Sequence, residues 1–78
     1  MANLSDYKEI FKESFQYDGD LEKLKYQDID AWDSVGHMQL MAELEDKFEI
    51  ELDIDDIIDF SSFEKGIEIL KKYEILLK

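Results

Sequence analysis

The chain has 78 residues, no Cys and no Pro, and its 21 acidic and nine basic side chains give a formal net charge of −12. This length allows one hydrophobic core, so we expect a single domain over residues 1–78. The negative charge disfavours binding to nucleic acid, whose phosphates are also negative. The absence of Cys excludes disulfides. No apolar run reaches the roughly 20 residues of a membrane span, and the N-terminus lacks the pattern of a signal peptide, so we expect a cytoplasmic protein.

The first predicted element is a helix that ends near Tyr17. Its apolar side chains follow helical spacing, and they are Leu4, Tyr7, Ile10, Phe11 and Phe15. Ser5 and Asp6 are the candidate N-terminal caps. The sequence Asp-Gly-Asp at residues 18–20 is a turn signal that ends the helix.

A long connection is predicted over residues 18–33. Apolar residues within it should anchor it to the core, and these are Leu21, Leu24, Tyr26, Ile29 and Trp32. Connections of this length are uncommon in compact domains unless they have a function.

A second helix should begin at Ser34. One side of it is apolar through Val35, Leu40, Met41, Leu44 and Phe48. Acidic residues occupy its exposed surface, as expected for an amphipathic helix; these are Glu43, Glu45, Asp46 and Glu49.

Two further helices should complete the fold. The stretch 49–56 alternates briefly, and we interpret it as a loop that leads into a short helix near residues 54–59. The sequence Ser-Ser-Phe-Glu at 61–64 is a capping box, and the apolar residues of a last helix follow it at Phe63, Ile67, Leu70, Tyr73 and Leu77. The predicted fold is therefore all-α, a small bundle of three main helices and one short one.

Catalysis and metal binding find little support in the residues. A serine-hydrolase turn needs Gly two residues on each side of the Ser, and Ser34 has Trp32 and Gly36 there. His37 is one helical turn from Ser34, but a Ser–His pair without an oxyanion hole is a poor enzyme. One His and no Cys exclude the usual zinc patterns, so we predict neither an enzyme nor a metal site.

A degenerate calcium-binding module is a further alternative. Asp53, Asp55 and Asp59 partly follow the spacing of a calcium loop, with Ser61 and Glu64 beyond them. Ile57 and Ile58 stand where an oxygen ligand and a turn-forming Gly are required, which is a severe departure.

The position of Ser34 suggests covalent attachment as another possibility. A helix N-terminus has unpaired N–H groups and a partial positive charge, which stabilise a phosphate ester. An ordinary N-cap is the alternative, and position by itself favours the N-cap.

The segment DSVGHMQLMAELEDKFEIELDIDDIIDFSSFEKGIEIL, from Asp33 to Leu70, resembles the acyl carrier protein family. The family has Asp-Ser-Leu at the start of its second helix, and Asp33-Ser34-Val35 stands there. An apolar and acidic helix ending in Phe48 follows, then a short helix and a capped last helix. The three-residue motif alone is weak, whereas its combination with size, acidity and helix order is specific.

This resemblance implies a covalent prosthetic group and no catalysis by the chain itself. Ser34, next to Asp33, would carry 4′-phosphopantetheine, transferred from coenzyme A by a phosphopantetheinyl transferase. The terminal thiol would hold acyl or aminoacyl groups as thioesters, which explains why the chain needs no Cys.

The resemblance also implies partners and an acyl pocket. The carrier would be a monomer, and its partners would be enzymes that load or transfer acyl or aminoacyl groups. Basic patches on these enzymes would bind the second helix of the carrier. The contact residues there would be Val35, Gly36, His37, Met38, Met41, Glu45 and Asp46. Leu40, Leu44, Ile54 and Phe60, with Val35, are candidates to line an acyl pocket. Their alternative role is simply to form the core.

Several residues depart from carriers of fatty-acid synthesis. Gly36 and Gln39 stand where acids are common, and Asp53 replaces a common Pro. Trp32 before Asp-Ser is more typical of specialised carriers. We therefore expect a carrier in a specialised biosynthetic pathway, and the rival hypothesis is an unmodified acidic helical adaptor that binds a basic partner.

Overall fold

The computed structural model describes residues 3–77 and has four helices in that range. They are α1 (Leu4–Phe15), α2 (Ser34–Phe48), α3 (Ile54–Asp59) and α4 (Phe63–Lys72). An isolated antiparallel bridge joins Lys25 to Ser62, and the described residues form no sheet. The predicted all-α bundle of three main helices and one short one is confirmed. Of the helices between residues 3 and 77, none combines the length and hydropathy needed to cross a bilayer.

Helix α1 is capped by Asn3 and not by the predicted Ser5 or Asp6. The Asn3 side-chain oxygen accepts a hydrogen bond of 2.9 Å from the Asp6 backbone N–H. Asn3 has the extended backbone that a cap requires, whereas Ser5 and Asp6 already lie inside the helix. Gln16 then adopts a left-handed conformation, so α1 ends two residues before Tyr17.

The connection between α1 and α2 is fixed to the start of α4. The Tyr26 N–H donates to the Ser61 carbonyl and the Phe63 N–H donates to the Leu24 carbonyl, both at 2.9 Å. The predicted anchors Leu21, Leu24 and Trp32 are buried, Ile29 is half-buried, and Tyr26 is partly exposed. The long connection is therefore held in place by backbone hydrogen bonds and by buried side chains.

Aromatic rings from α1, the connection and the α3–α4 region meet in the core. Phe11 packs edge-to-face on Trp32 at 5.5 Å between ring centroids, and Phe15 stacks on the same indole at 5.2 Å. Such ring pairs add to the stability that area burial provides. Buried Tyr7 donates its hydroxyl to the Phe63 carbonyl at 2.7 Å, and burial raises the pKa of the Tyr7 hydroxyl well above its usual value.

A buried carboxylate joins α3 to the end of α4. Asp56 accepts hydrogen bonds of 2.5 Å from the Lys72 ammonium and from the Tyr73 hydroxyl. These bonds, with that from Lys72 the stronger influence, lower the pKa of the Asp56 carboxyl. The Tyr73 hydroxyl also accepts from the Asp53 N–H at 2.9 Å.

Both ends of α4 differ from the prediction. Its N-cap is Ser62, whose hydroxyl accepts from the Lys65 N–H at 3.0 Å, so the cap lies one residue after the Ser61 of the predicted box. The helix ends at Lys72 and does not continue to Leu77, because Tyr73 turns towards α3 and Glu74 takes a left-handed conformation.

Candidate functional site

The start of α2 is capped by Asp33, which leaves Ser34 as the first helical residue. Asp33 Oδ1 accepts from the Gly36 N–H at 2.8 Å, and the Asp33 carbonyl accepts from the His37 N–H at the same distance. The alternative that Ser34 is itself an ordinary N-cap is therefore wrong, since Asp33 performs that role. Ser34 is exposed in the first turn of the helix.

Gly36 allows the preceding loop to pass close to this helix start. A Cβ atom at Gly36 would lie 1.9 Å from the Ala31 carbonyl oxygen. Because that neighbour is backbone, no side-chain movement relieves the clash. The absence of a side chain at Gly36 thus allows the loop to pack against α2. Gly36 is half-buried and offers a partner little surface to contact.

His37 joins three parts of the fold through its two ring nitrogens. The Trp32 indole N–H donates to His37 Nδ1 at 2.9 Å, and Nε2 lies 2.8 Å from the Ile57 carbonyl oxygen. An indole N–H can only donate and a carbonyl can only accept. The neutral imidazole must therefore carry its proton on Nε2, and neither nitrogen is free to take a proton from Ser34.

A cleft of about 300 Å³ opens beside Ser34. The connection, α2 and the α3–α4 region all contribute to its walls, which are formed by Tyr26, Ser34, His37, Met38, Ile57, Ile58, Phe60 and Ser61. None of these side chains is a carboxylate, a lysine or an arginine. Ser34 therefore stands at the edge of a largely apolar surface within a strongly acidic protein.

The residues predicted to line an acyl pocket are not gathered in one place. Leu40 and Leu44 are fully buried core residues, which is the alternative role considered for them. Ile54 is 73% exposed and does not line the cleft, because it lies at the outer start of α3. Phe60 is buried and is the one member of the set on the cleft wall.

The residues predicted to contact partners are divided between surface and core. Val35, Met38 and Asp46 are exposed on α2. Met41 is only 1% exposed, so its proposed contact with a partner is corrected: it lies on the buried face of α2 with Leu40 and Leu44.

Glu45 is half-buried and has a structural role. Its Oε2 accepts a 2.8 Å hydrogen bond from the Leu52 N–H, which holds the loop after α2 against the helix. Asp46, next to it, is exposed. Of the two acids predicted to contact partners, Asp46 is exposed to solvent, whereas Glu45 is engaged in a hydrogen bond within the chain.

Comparison with known families assigns this region. A family model described as the phosphopantetheine attachment site matches residues 32–68, from Trp32 into α4. This part of the chain is therefore similar to phosphopantetheine-attachment domains. Members carry 4′-phosphopantetheine as a covalent prosthetic group, and the match agrees with the resemblance to acyl carrier proteins. Comparison with curated proteins and with solved structures gives no significant match.

The surroundings of Ser34 fit such a group. A hydroxyl that receives a phosphate ester must be exposed, and the N-terminus of a long helix stabilises the negative charge it brings. Ser34 meets both conditions at the start of the 15-residue α2.

Sequence reasoning missed the cleft walls contributed from outside α2. Tyr26, Ile57, Ile58 and Ser61 come from the connection, α3 and the α3–α4 turn. The pair Ile57-Ile58 within an acidic stretch was the available signal, because two adjacent apolar residues in a six-residue helix cannot both face the core. The Trp32–His37 hydrogen bond had no such signal.

Proposed function

We propose that the protein is a carrier that bears 4′-phosphopantetheine on Ser34 and presents acyl or aminoacyl groups, held as thioesters, to partner enzymes of a specialised biosynthetic pathway. The observation that supports the proposal is that Asp33, and not Ser34, is the N-cap of α2. The Asp33 side chain caps α2 by accepting from the Gly36 N–H, and Ser34 remains exposed inside the segment matched by the family model.

Each residue near the serine has a distinct task in this proposal. Ser34 Oγ forms the phosphate ester by displacing adenosine 3′,5′-bisphosphate from the pyrophosphate of coenzyme A, while Asp33 and Gly36 hold the helix start that presents it. Both nitrogens of His37 are engaged, so His37 is not the base that takes the serine proton. When bound, the prosthetic group supplies a terminal thiol for thioester formation. Carrier domains of this family are not themselves catalytic.

Partner recognition is proposed to use the exposed part of α2. Val35 and Met38 offer apolar contacts close to Ser34, and Asp46 offers a negative charge further along the helix. The net charge of −12 favours partners with basic patches. Charges of this kind mainly accelerate encounter and select partners, and they add less to affinity.

The proposal of a specialised pathway is supported by the packing of Gly36. Fatty-acid carriers commonly have an acid at this position, and here any side chain would meet the Ala31 carbonyl. The connection passes too close to α2 for an acidic side chain at position 36. This close approach explains why Gly36 replaces the acid on the proposed docking surface.

The attachment site can be tested by mass spectrometry. Incubation with coenzyme A, magnesium and a broad-specificity phosphopantetheinyl transferase should add one phosphopantetheine. Ser34→Ala should abolish the addition and retain the helical circular-dichroism spectrum. Ser61→Ala is the matched control, since Ser61 is also exposed and lines the same cleft, and it should still be modified. Modification of Ser34→Ala would overturn the assignment, and an unmodified wild-type chain would favour the acidic adaptor.

A further inference from the structure

We infer that His37 is a pH-sensitive switch within the fold: its neutral ring joins Trp32 to Ile57, and protonation of Nδ1 releases Trp32 while the bond to Ile57 is retained. The inference goes beyond the proposed carrier function and does not depend on attachment at Ser34. It follows from the polarity of the hydrogen-bonding groups, from the packing of the two rings and from the charge of the surrounding chain.

The hydrogen bond between Trp32 and His37 requires a neutral imidazole. The indole N–H donates to Nδ1 at 2.9 Å, and an indole nitrogen can only donate. A protonated imidazole carries an N–H on both nitrogens, so two donors would then face each other at this contact. The bond is therefore lost as pH falls through the range in which imidazoles ordinarily gain a proton, at about pH 6.5.

The contact on the other side of the ring responds in the opposite way. Nε2 lies 2.8 Å from the Ile57 carbonyl oxygen, and it carries a proton both in the neutral tautomer that this contact requires and in the imidazolium. Once the ring is charged, the carbonyl accepts from a cationic donor, which makes a stronger hydrogen bond than a neutral donor does. Protonation thus removes the link of His37 to the connection and strengthens its link to α3.

The imidazole, and not the indole, is the ring that moves. Trp32 is fully buried, with Phe11 edge-to-face at 5.5 Å and Phe15 stacked at 5.2 Å between ring centroids. His37 is half-buried and forms part of the wall of the cleft beside Ser34. A small rotation about the Ile57 hydrogen bond takes the charged ring towards the cleft. None of the other side chains that form the cleft wall is charged at neutral or acidic pH.

The surrounding chain stabilises the charged ring. His37 contacts Tyr26 and Phe60, at 5.3 and 6.1 Å between ring centroids, in addition to Trp32 and Ile57. The charged residues within two positions of these four contacts are six acids and one base, namely Asp28, Asp30, Asp33, Asp55, Asp56 and Asp59, with Lys25. The Tyr26 phenol is neutral in acidic solution. An excess of carboxylates favours a nearby cation, so the folded protein accommodates the imidazolium and the switch is local.

A single Trp and a single His make the switch directly observable. The chain without a prosthetic group is labelled with ¹⁵N and ¹³C and followed by NMR from about pH 8 to pH 5. As Nδ1 gains its proton, the indole N–H proton should move upfield with the same midpoint, since it loses its acceptor. The Ile57 carbonyl carbon should keep the shift of a hydrogen-bonded carbonyl. The amide of buried Leu70 in α4 should not move.

Two substitutions separate His37 from the neighbouring acids. His37→Gln removes the imidazole, so the indole signal should no longer depend on pH in this range. Asp30→Asn removes an exposed acid two residues before Trp32 and should leave the dependence intact.

Several outcomes would overturn the inference. These are pH dependence that persists in His37→Gln or is lost in Asp30→Asn, an indole signal that stays constant while Nδ1 gains its proton, loss of the Ile57 bond, and a ring that stays neutral until the whole chain unfolds. Movement of the Leu70 amide with the same midpoint would show global unfolding and would overturn it as well. Failure of attachment at Ser34 affects the proposed function alone, since no step of this experiment uses the prosthetic group.

Discussion

The indole N–H of Trp32 donates to Nδ1 of His37, and the opposite nitrogen of the same imidazole faces the Ile57 carbonyl. One side chain therefore links the connection, α2 and α3 on the wall of the Ser34 cleft. Because both partners have fixed polarity, this arrangement determines which nitrogen of the neutral ring carries the proton.

The tautomer of His37 is directly measurable. We expect the neutral ring to be protonated on Nε2 and unprotonated on Nδ1, as read from ring ¹⁵N chemical shifts. Trp32→Phe should remove the donor, leave Nδ1 without its partner and lower the free energy of unfolding by about 1–3 kcal/mol. A neutral ring protonated on Nδ1 would contradict the hydrogen-bond assignment.

The Asp56 carboxylate should make stability depend on pH in the acidic range. Hydrogen bonds from Lys72 and Tyr73 lower its folded-state pKa. A lowered folded pKa adds stability above the unfolded value of about 3.9, and that stability is lost as pH falls through the folded pKa. Asp56→Asn should lower the free energy of unfolding at neutral pH by about 1–3 kcal/mol, measured by urea denaturation, and the difference from wild type should shrink below about pH 4.

Asp55→Asn is the control for that measurement. Asp55 is the neighbouring acid on the same short helix and is exposed, with no side-chain hydrogen bond among those of the described residues. It should change stability by less than about 0.5 kcal/mol. Equal destabilisation by the two substitutions would show that the helix is sensitive to any charge removal, and that the buried contacts of Asp56 are not the cause.

Gly36 should tolerate no side chain. Gly36→Ala places a methyl group against the Ala31 carbonyl, so the loop or the start of α2 must move, and we expect a loss of about 1–3 kcal/mol in unfolding free energy. Modification of Ser34 should also slow, as followed by mass spectrometry over time. Gly19→Ala is the comparison, because the atoms nearest to its added Cβ belong to the Tyr17 side chain, which can rotate away. A Gly36→Ala protein as stable as wild type would contradict the close approach of the loop.

Recognition by the transferase should depend on Asp46. Asp46→Lys should slow modification of Ser34 several-fold at low ionic strength, and the effect should shrink as salt is added, because exposed charges mainly steer encounter. Glu45 is unsuitable for this test because it holds the Leu52 N–H.

Glu68→Lys provides the same change in net charge for comparison. Glu68 is exposed on α4, away from the proposed docking helix. Equal slowing by Asp46→Lys and Glu68→Lys would mean that only global charge matters. Slowing by Asp46→Lys alone, removed by salt, would support docking on α2.

The fold was largely readable from the sequence, because helix order depends on periodicity and caps that lie close together in the chain. The start of α2 at Ser34 and the short α3 were predicted at their observed positions. The end of α4 was not, since it depends on a contact of Tyr73 with Asp56, seventeen residues away. Local patterns contain no record of such contacts.

The site was less predictable than the fold for a related reason. Periodicity groups apolar residues on a helix but does not say which of them the rest of the chain covers. Met41 is covered, whereas Met38, one turn earlier, is exposed beside the cleft. Ile54 and Ile58 are equally exposed on one short helix, yet one of them lines the cleft and the other does not. The packing of the other parts of the chain around each helix decides these outcomes.

The hydrogen bond that joins the connection to the start of α4 has a consequence for how the cleft can vary. Tyr26 and Ser61 both line the cleft, but the bond between them joins the Tyr26 backbone N–H to the Ser61 backbone carbonyl. A hydrogen bond between backbone atoms does not depend on which side chains are present at these two positions. In the proposed carrier role, substitutions of Ser61 can change the cleft while this main-chain hydrogen bond is retained, whereas substitutions of Tyr26 also alter its ring contacts with Trp32 and His37.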